Sequence, residues 1–237
     1  MEALGAMAMQ VGLVAAYGGI VGLDRRNAFQ MLLSQPLVTV ALMGLAFGHL
    51  EQGVWLGSLL QLLWMSSVLF GANVPPNDTL ASVVIAGIFF LFQPYSSAAE
   101  PALYSVAILL GLPVSALGRT MDIKLDQANL SLARRADAAV QDHRFGQIDF
   151  LPSIALTRAF LANGLLVGVA LSVGLLILIY VEPQLSASIL EALTATGVYI
   201  IPALGLAVAL TMVKRRKAVA LAVFFFILVT IFMAKVR

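Results

Sequence analysis

The sequence predicts an all-α polytopic membrane protein with about eight hydrophobic segments. Hydrophobic residues make up 61% of the 237 positions and charged residues only 11%, whereas a soluble domain carries about 25% charged residues. The mean hydropathy is +0.98. A chain of this composition has too little polar surface for a water-soluble fold, so we expect its apolar residues to lie in a lipid bilayer.

The apolar residues are arranged in blocks, as membrane helices require. A helix that crosses the hydrocarbon core needs about 20 mainly apolar residues in a row. The charge-free runs span residues 3–23, 27–50, 52–77, 79–99, 101–118, 159–181, 192–213 and 218–234. Most of them are long enough to cross. No basic stretch precedes the first run, so we expect a retained membrane segment there and not a cleaved signal peptide.

Glycine and proline interrupt the early apolar runs. The residues concerned are Gly44, Gly48, Gly53, Gly57, Gly71 and the pair Pro75-Pro76. Runs 27–50 and 52–77 are therefore predicted to be re-entrant or broken helices. Irregular backbone at membrane depth persists only where it is buried or lines a cavity, and in transporters broken helices mark the substrate site. The later runs, rich in Leu, Val and Ile, resemble a scaffold.

A polar stretch divides the chain into three predicted regions. Residues 1–118 form an N-terminal membrane half with the candidate substrate site, and residues 159–237 form a C-terminal membrane half. Between them, residues 119–158 form the one long polar stretch and carry 11 of the 26 charged residues. Because residues 122–141 contain neither Pro nor Gly and place apolar side chains at helical spacing, this polar region is predicted to be helical.

The basic residues predict the orientation in the membrane. Lys and Arg in short loops accumulate on the cytoplasmic side. Arg25-Arg26, the central polar region and the basic run 214–217 all fall on one side if every run crosses. This topology places the central region in the cytoplasm and the N-terminus outside, although Lys235 and Arg237 then lie outside, against the trend.

The polar segment around the double proline is the best candidate site. Pro75 and Pro76 break the helix and free backbone groups, while Asn73, Asn77 and Asp78 offer amide and carboxylate groups to the hydroxyls of a sugar. The alternative is a surface turn in which Asn77 or Asp78 caps the next helix. The residue types alone are compatible with both interpretations.

Three further polar side chains lie in or beside the early runs. Gln61 and Ser58 stand within an apolar run, where an amide or hydroxyl pairs either with a substrate or with a neighbouring helix. Gln30 belongs to a polar patch whose charged members are Asp24, Arg25 and Arg26. Since charge in hydrocarbon is expensive, we expect Asp24 to pair with one of the two arginines, and the role of Gln30 stays open.

Several classes of function find no support in the sequence. There is no cysteine, so thiolate metal sites and cysteine nucleophiles are excluded. No phosphate loop or dinucleotide fingerprint is present, and the two histidines lack a spacing suited to a metal site or a catalytic triad. We therefore expect no catalytic residue, metal, cofactor or nucleic-acid partner. Glu100 fits an outer loop better than a proton relay.

Taken together, these motifs resemble the IIC subunit of the mannose, fructose and sorbose family of bacterial phosphotransferase systems. The resemblance covers nearly the whole chain and is carried by Leu23-Asp24-Arg25, Phe29-Gln30, Ser34-Gln35-Pro36-Leu37, Gly44 to Gly48, Gly53-Val54-Trp55-Leu56-Gly57, Leu60-Gln61-Leu62-Leu63-Trp64, Gly71-Ala72-Asn73-Val74-Pro75-Pro76, Thr79-Leu80-Ala81 and Ile201-Pro202-Ala203-Leu204-Gly205.

The resemblance implies a sugar-conducting subunit of the bacterial inner membrane. It implies a IID membrane partner, a higher oligomer, and soluble IIB and IIA subunits that carry the phosphoryl group to a hexose or related sugar. The family usually has Asp after the double proline and often Glu at the place of Gln61, whereas this chain has Asn77 and Gln61. Two other hypotheses therefore stand beside sugar transport: a regulatory or receptor-like paralogue that moves no sugar, and an ion-coupled secondary transporter.

Overall fold

The computed structural model describes residues 2–66 and 74–212 of the chain. In these two stretches there are eight α-helices and no β-strand. The helices are α1 (Glu2–Arg26), α2 (Pro36–Ala46), α3 (Leu50–Leu63), α4 (Asp78–Phe92), α5 (Glu100–Gln141), α6 (Leu151–Val181), α7 (Ala187–Ala195) and α8 (Ile201–Thr211). A π-helical turn, Thr196–Ile200, joins α7 to α8. The all-α prediction is confirmed.

Five helical stretches in the described part are long and apolar enough to cross a bilayer. They are Gly5–Arg26, Asp78–Tyr95, Glu100–Gln141, Phe145–Gln184 and Ala187–Thr211. The predicted number of eight segments is not confirmed by this set. The basic run 214–217, the apolar run 218–234, and Lys235 and Arg237 lie outside the described residues.

Helices α2 and α3 form a tight hairpin in place of two full spans. They have 11 and 14 residues, or about 16 and 21 Å of helix, against about 30 Å of hydrocarbon. Gly44 and Gly53 allow their close approach, since a Cβ on Gly53 would lie 2.8 Å from the Cα of Gly44. The prediction that these early runs are broken is confirmed.

Helix α4 forms the centre of the bundle. Every residue from Thr79 to Phe92 is buried, and α1, α2, α5 and α6 pack around it. Helices α1 and α6 run antiparallel in close contact, where a Cβ on Gly18 would meet Val167 and one on Gly22 would meet Asn163. This packing leaves α4 no lipid-facing side, so the start of α4 is fixed from all directions.

The central polar region continues a membrane helix. Helix α5 runs without interruption from Glu100 to Gln141, so the helix predicted for residues 122–141 is present. Leu132 and Ala139 are buried along one face of this extension. A 3-10 turn at Phe145–Gln147 then leads into α6. The polar extension and the part of α5 that contacts α4 are therefore one continuous helix.

Candidate functional site

The double proline lies at one end of the bundle, where α1 ends, α4 begins and α5 passes. We call this the basic end, because it carries Arg25 and Arg26. The opposite end holds the turn between α2 and α3, the end of α4 and the start of α5. Residues 74–77 approach α4 without helical structure, as expected where proline removes backbone donors.

Asn77 is the N-cap of α4 and has its side chain fully engaged. Its Oδ1 accepts the backbone N–H of Leu80 at 3.0 Å, and its Nδ2 donates to Asp122 Oδ2 of α5 at 3.1 Å. Its own backbone N–H donates to Ser115 O at 2.8 Å. Only 1% of Asn77 is exposed. Of the two sequence-based interpretations, the helix cap is therefore present, although it is buried and not at the surface.

Arg25 holds both sequence neighbours of Asn77, Pro76 and Asp78, in place. Its Nη2 forms an ion pair with Asp78 Oδ1 at 3.1 Å and donates to the carbonyl of Pro76 at 3.0 Å. The Arg25 side chain is 8% exposed and that of Asp78 is 17% exposed. Charges removed from water to this degree are stable only as a pair with further hydrogen bonds. Arg25 and Asp78 thus fix the α4 start to the end of α1.

Arg26 ties the same end of α1 to α5. Its guanidinium lies 2.9 Å from Asp126 Oδ2 and 3.9 Å from Asp122 Oδ2. Asp122 therefore receives both the amide of Asn77 and the charge of Arg26. Asp122 and Asp126 were not predicted as site residues, because they lie about 100 residues from Arg26 and belong to no local motif.

The expected pairing of Asp24 with a neighbouring arginine is wrong. Asp24 is 1% exposed, and its carboxylate accepts the backbone N–H groups of Met31 at 2.7 Å and Ser34 at 2.9 Å. These amides belong to the loop that reverses the chain between α1 and α2. Arg25 and Arg26 point towards α4 and α5. Asp24 therefore fixes the loop, while the two arginines link α1 to α4 and α5.

That reversal loop has an unusual backbone. Phe29, Gln30 and Leu32 have positive φ angles of 67°, 52° and 66°, a conformation that costs an L-residue roughly 1–2 kcal/mol. Asp24 holds the loop from one side, and Thr79 Oγ1 donates to Ser34 O at 2.8 Å from the other. Strained backbone of this kind persists where the surroundings over-determine it, commonly at functional sites. Gln30 is exposed on this loop.

Gln61 connects α3 to the first turn of α2. Its Oε1 accepts the backbone N–H of Leu37 at 3.3 Å, and its Nε2 donates to Gln35 Oε1 at 3.2 Å. Gln61 is half-buried and Gln35 is exposed. Ser58, one turn earlier on α3, donates to Val54 O at 2.7 Å. The amides of Gln35 and Gln61 thus share an exposed face with room for further hydrogen bonds.

The predicted site residues therefore divide into two groups. Asn77 and Asp78 lie in the buried network at the α4 start, whereas Gln61, Ser58 and Gln30 lie on or beside the α2–α3 hairpin. Segment 34–37 joins the groups, since Thr79 holds Ser34 and Gln61 holds Leu37. Asn73 lies outside the described residues. Gln35 was not predicted as a site residue, although it lies in the motif Ser34-Gln35-Pro36-Leu37 that carries the family resemblance.

Comparison with known proteins places the chain among membrane subunits of one transport system. The family model described as the sorbose-specific IIC component of the PTS system matches residues 8–236. The sorbose-specific EIIC component of Klebsiella pneumoniae is 28% identical over 67% of this chain and 54% of that protein. The mannose-specific EIIC component of Escherichia coli K12 is 25% identical over 60% of this chain and 47% of that protein.

Solved structures show the same fold. The mannose transporter ManYZ, determined in complex with microcin E492, superimposes with a TM-score of 0.57 and 21% identity over 95% of this chain and 86% of that one. A further membrane protein gives a TM-score of 0.63 with 18% identity over 97% of this chain and 95% of the other.

The chain aligns with about half of the length of the curated relatives named above. The family model, in contrast, covers nearly all of the chain, and the resemblance found in its motifs is thereby confirmed. The chain belongs to the family of sorbose-specific IIC components of the PTS.

Proposed function

We propose that the chain is a sugar-translocating membrane subunit of a phosphoenolpyruvate-dependent phosphotransferase system. Relatives in its family are named for sorbose and mannose, which supports a hexose or related sugar as the substrate. The observation that carries the proposal is the pair of amides formed by exposed Gln35, directly before α2, and half-buried Gln61 of α3, which meet between the two broken membrane runs. Amides both donate to and accept from sugar hydroxyls.

The structure favours separate roles for the two groups of predicted site residues. Gln61, Ser58 and Gln30 are accessible to a sugar, and we assign substrate contact to them. Asn77 and Asp78 use their polar atoms on Leu80, Asp122 and Arg25, so we assign to them the positioning of the α4 start. Asn73 remains a proposed substrate contact from the sequence.

The partners follow from the same proposal. A IID subunit in the membrane, soluble IIB and IIA phosphocarriers, and assembly into a higher oligomer are the expected context, with the bacterial inner membrane as location. The ion pair of Arg26 with Asp126 places two of the basic regions at the same end of the bundle, which supports a cytoplasmic basic end and an N-terminus outside. The α5 extension is then the proposed docking element for IIB.

Substitution of Gln61 tests the substrate assignment. Gln61→Leu keeps the volume but removes the acceptor for Leu37 and the donor to Gln35, so we expect sugar uptake by the assembled complex to fall at least tenfold, a loss of about 1.4 kcal/mol. Leu62→Met on the same helix turn is the matched control. Uptake that survives Gln61→Leu at the wild-type rate would remove this residue from the site.

A regulatory or receptor-like role is the second candidate. It is favoured by one observation, the commitment of Asn77 and Asp78 to contacts within the chain at a place where the family usually presents a carboxylate. The two functions separate in reconstituted vesicles that contain the chain and its IID partner. Phosphoryl-dependent accumulation of sugar supports transport, whereas complete assembly without accumulation supports the regulatory role.

A further inference from the structure

A polar cavity lies at the end of the bundle opposite Arg25. It has a volume of about 320 Å³, which is in the range of small-molecule sites. Three buried apolar residues, Leu56, Phe89 and Tyr104, form its floor. The rings of Phe89 and Tyr104 meet edge to face with their centroids 6.4 Å apart. The cavity thus has a rigid aromatic base between α3, α4 and α5.

The walls of this cavity are polar and carry one exposed indole. They consist of Glu51, Gln52, Trp55 and Glu100, and 53% of Trp55 is exposed. Gln52 Nε2 donates to Glu100 Oε1 at 2.6 Å, which holds the first residue of α5 against α3. The Oε1 of Gln52 is buried and has no hydrogen-bond partner among residues 2–66 and 74–212, which the structure describes. A buried acceptor without a donor favours a ligand that supplies hydroxyl groups.

The chemistry of the cavity matches a neutral polyhydroxyl ligand. Carboxylates and an amide oxygen accept strong hydrogen bonds from hydroxyl groups, while an indole offers a large apolar face beside a polar edge. Sugar rings present both properties, with C–H groups on one face and hydroxyls around the rim. A cation alone would use Glu51 and Glu100 but would leave Trp55 without a role.

The position of the cavity connects it with the amide pair. Residues three or four apart lie on one side of a helix, so Glu51, Trp55 and Ser58 form a stripe along α3, and Gln61 continues it by one turn. Gln61 lies ten positions after Glu51, which corresponds to about 15 Å of helix. The stripe therefore runs from the cavity towards the proposed substrate contacts on the α2–α3 hairpin.

We propose that the cavity formed by Glu51, Gln52, Trp55 and Glu100 is an outer sugar subsite, which binds the sugar before it reaches Gln61. This inference rests on the proposed transport function. Trp55 provides the stacking surface, and Glu100, held by Gln52, accepts a ring hydroxyl. The subsite raises the local concentration of sugar at the end of the bundle opposite the basic end and takes no part in translocation itself.

Uptake kinetics of the assembled complex provide the first test. Trp55→Ala raises the KM for uptake about tenfold, the effect of losing about 1.4 kcal/mol of binding, with Vmax within about twofold of wild type. Tyr180→Ala, which removes a 70% exposed aromatic from the end of α6, is the matched control and leaves both parameters unchanged. An unaltered KM in Trp55→Ala overturns the subsite while leaving the transport proposal in place.

Direct binding to the full chain in vesicles separates the subsite from transport. With Trp64→Phe, Trp55 is the sole tryptophan of the chain, and titration with mannose or sorbose produces a saturable change in its emission. Glu100→Gln weakens this binding about tenfold, the effect of losing a charged acceptor, and Gln61→Leu leaves it intact. Binding without transport would defeat only the proposed function. No emission change with either sugar, or a change with magnesium chloride alone, overturns the subsite.

Discussion

Replacement of Asn77, the N-cap of α4, by aspartate is the most informative perturbation of the basic end. The family resemblance implies Asp at the position of Asn77. The amide of Asn77 donates to Asp122 Oδ2 at 3.1 Å. Asn77→Asp keeps the cap, because a carboxylate accepts the N–H of Leu80 and is favoured at a helix N-terminus. It also removes the donor and sets two carboxylates against each other. The Asn at this position is therefore explained by Asp122.

The cost of Asn77→Asp follows from the buried geometry. Two like charges 4 Å apart interact with about 4 kcal/mol at an effective dielectric constant of 20, and the lost hydrogen bond to a charged acceptor is worth about 1.5–3 kcal/mol. These two effects overlap, and Arg26, 3.9 Å from Asp122, offsets part of the repulsion. We expect a net destabilisation of about 2–4 kcal/mol.

Thermal unfolding of the purified protein in detergent measures this cost. A chain of this size loses about 2–4 °C in Tm per kcal/mol, so Asn77→Asp lowers Tm by roughly 4–16 °C. Combining it with Asp122→Asn restores one amide and one carboxylate, and recovers most of the loss. Asp126→Asn, whose carboxylate is 54% exposed, is the control and gives no recovery. Additive effects of the changes at 77 and 122 would refute the coupling.

Three further predictions concern the hairpin and the ion pair. Gly53→Ala places a Cβ 2.8 Å from Gly44 Cα and lowers the unfolding free energy by about 1–3 kcal/mol. The control Gly12→Ala, whose Cβ has nothing within 4 Å, has no such effect. Equal melting temperatures of the two variants would contradict the close contact. Arg25→Gln leaves the Asp78 carboxylate without its cation and destabilises the fold by about 3–5 kcal/mol. We expect a loss of monodisperse protein on gel filtration. A normal yield of monodisperse protein would show that the ion pair is dispensable. Gln61→Glu still accepts the Leu37 N–H and keeps Tm within a few degrees while it changes the KM for sugar, so an unchanged KM would argue against substrate contact.

The fold class and the broken early runs could be predicted from the sequence because they depend on local properties. Apolar runs indicate membrane helices through length alone. Gly44 and Gly53 reveal close packing, and Pro36 and Pro75 mark places where a helix begins or breaks. The cap at Asn77 was predictable for the same reason, since Asn is favoured immediately before a helix.

The partners of the charged residues could not be predicted, because they depend on which distant segments meet. Asp24 lies next to Arg25 in sequence, yet loop amides with fixed positions compete for its carboxylate. Arg26 instead meets Asp126, which lies 100 residues later. In the cavity of the proposed subsite, Gln52 likewise meets Glu100 across 48 residues, so only the packing of α3 on α5 shows that the two face each other.

Sugar uptake driven by phosphoenolpyruvate is the most direct test of the central claim. The chain is reconstituted with the proposed IID subunit and the proposed soluble phosphocarriers, and the accumulation of labelled mannose or sorbose is compared between wild type and Gln61→Leu. We predict accumulation by the wild type, and at least a tenfold loss in the variant without loss of assembly. A fully assembled wild-type complex that accumulates neither sugar would contradict the account and favour the regulatory role.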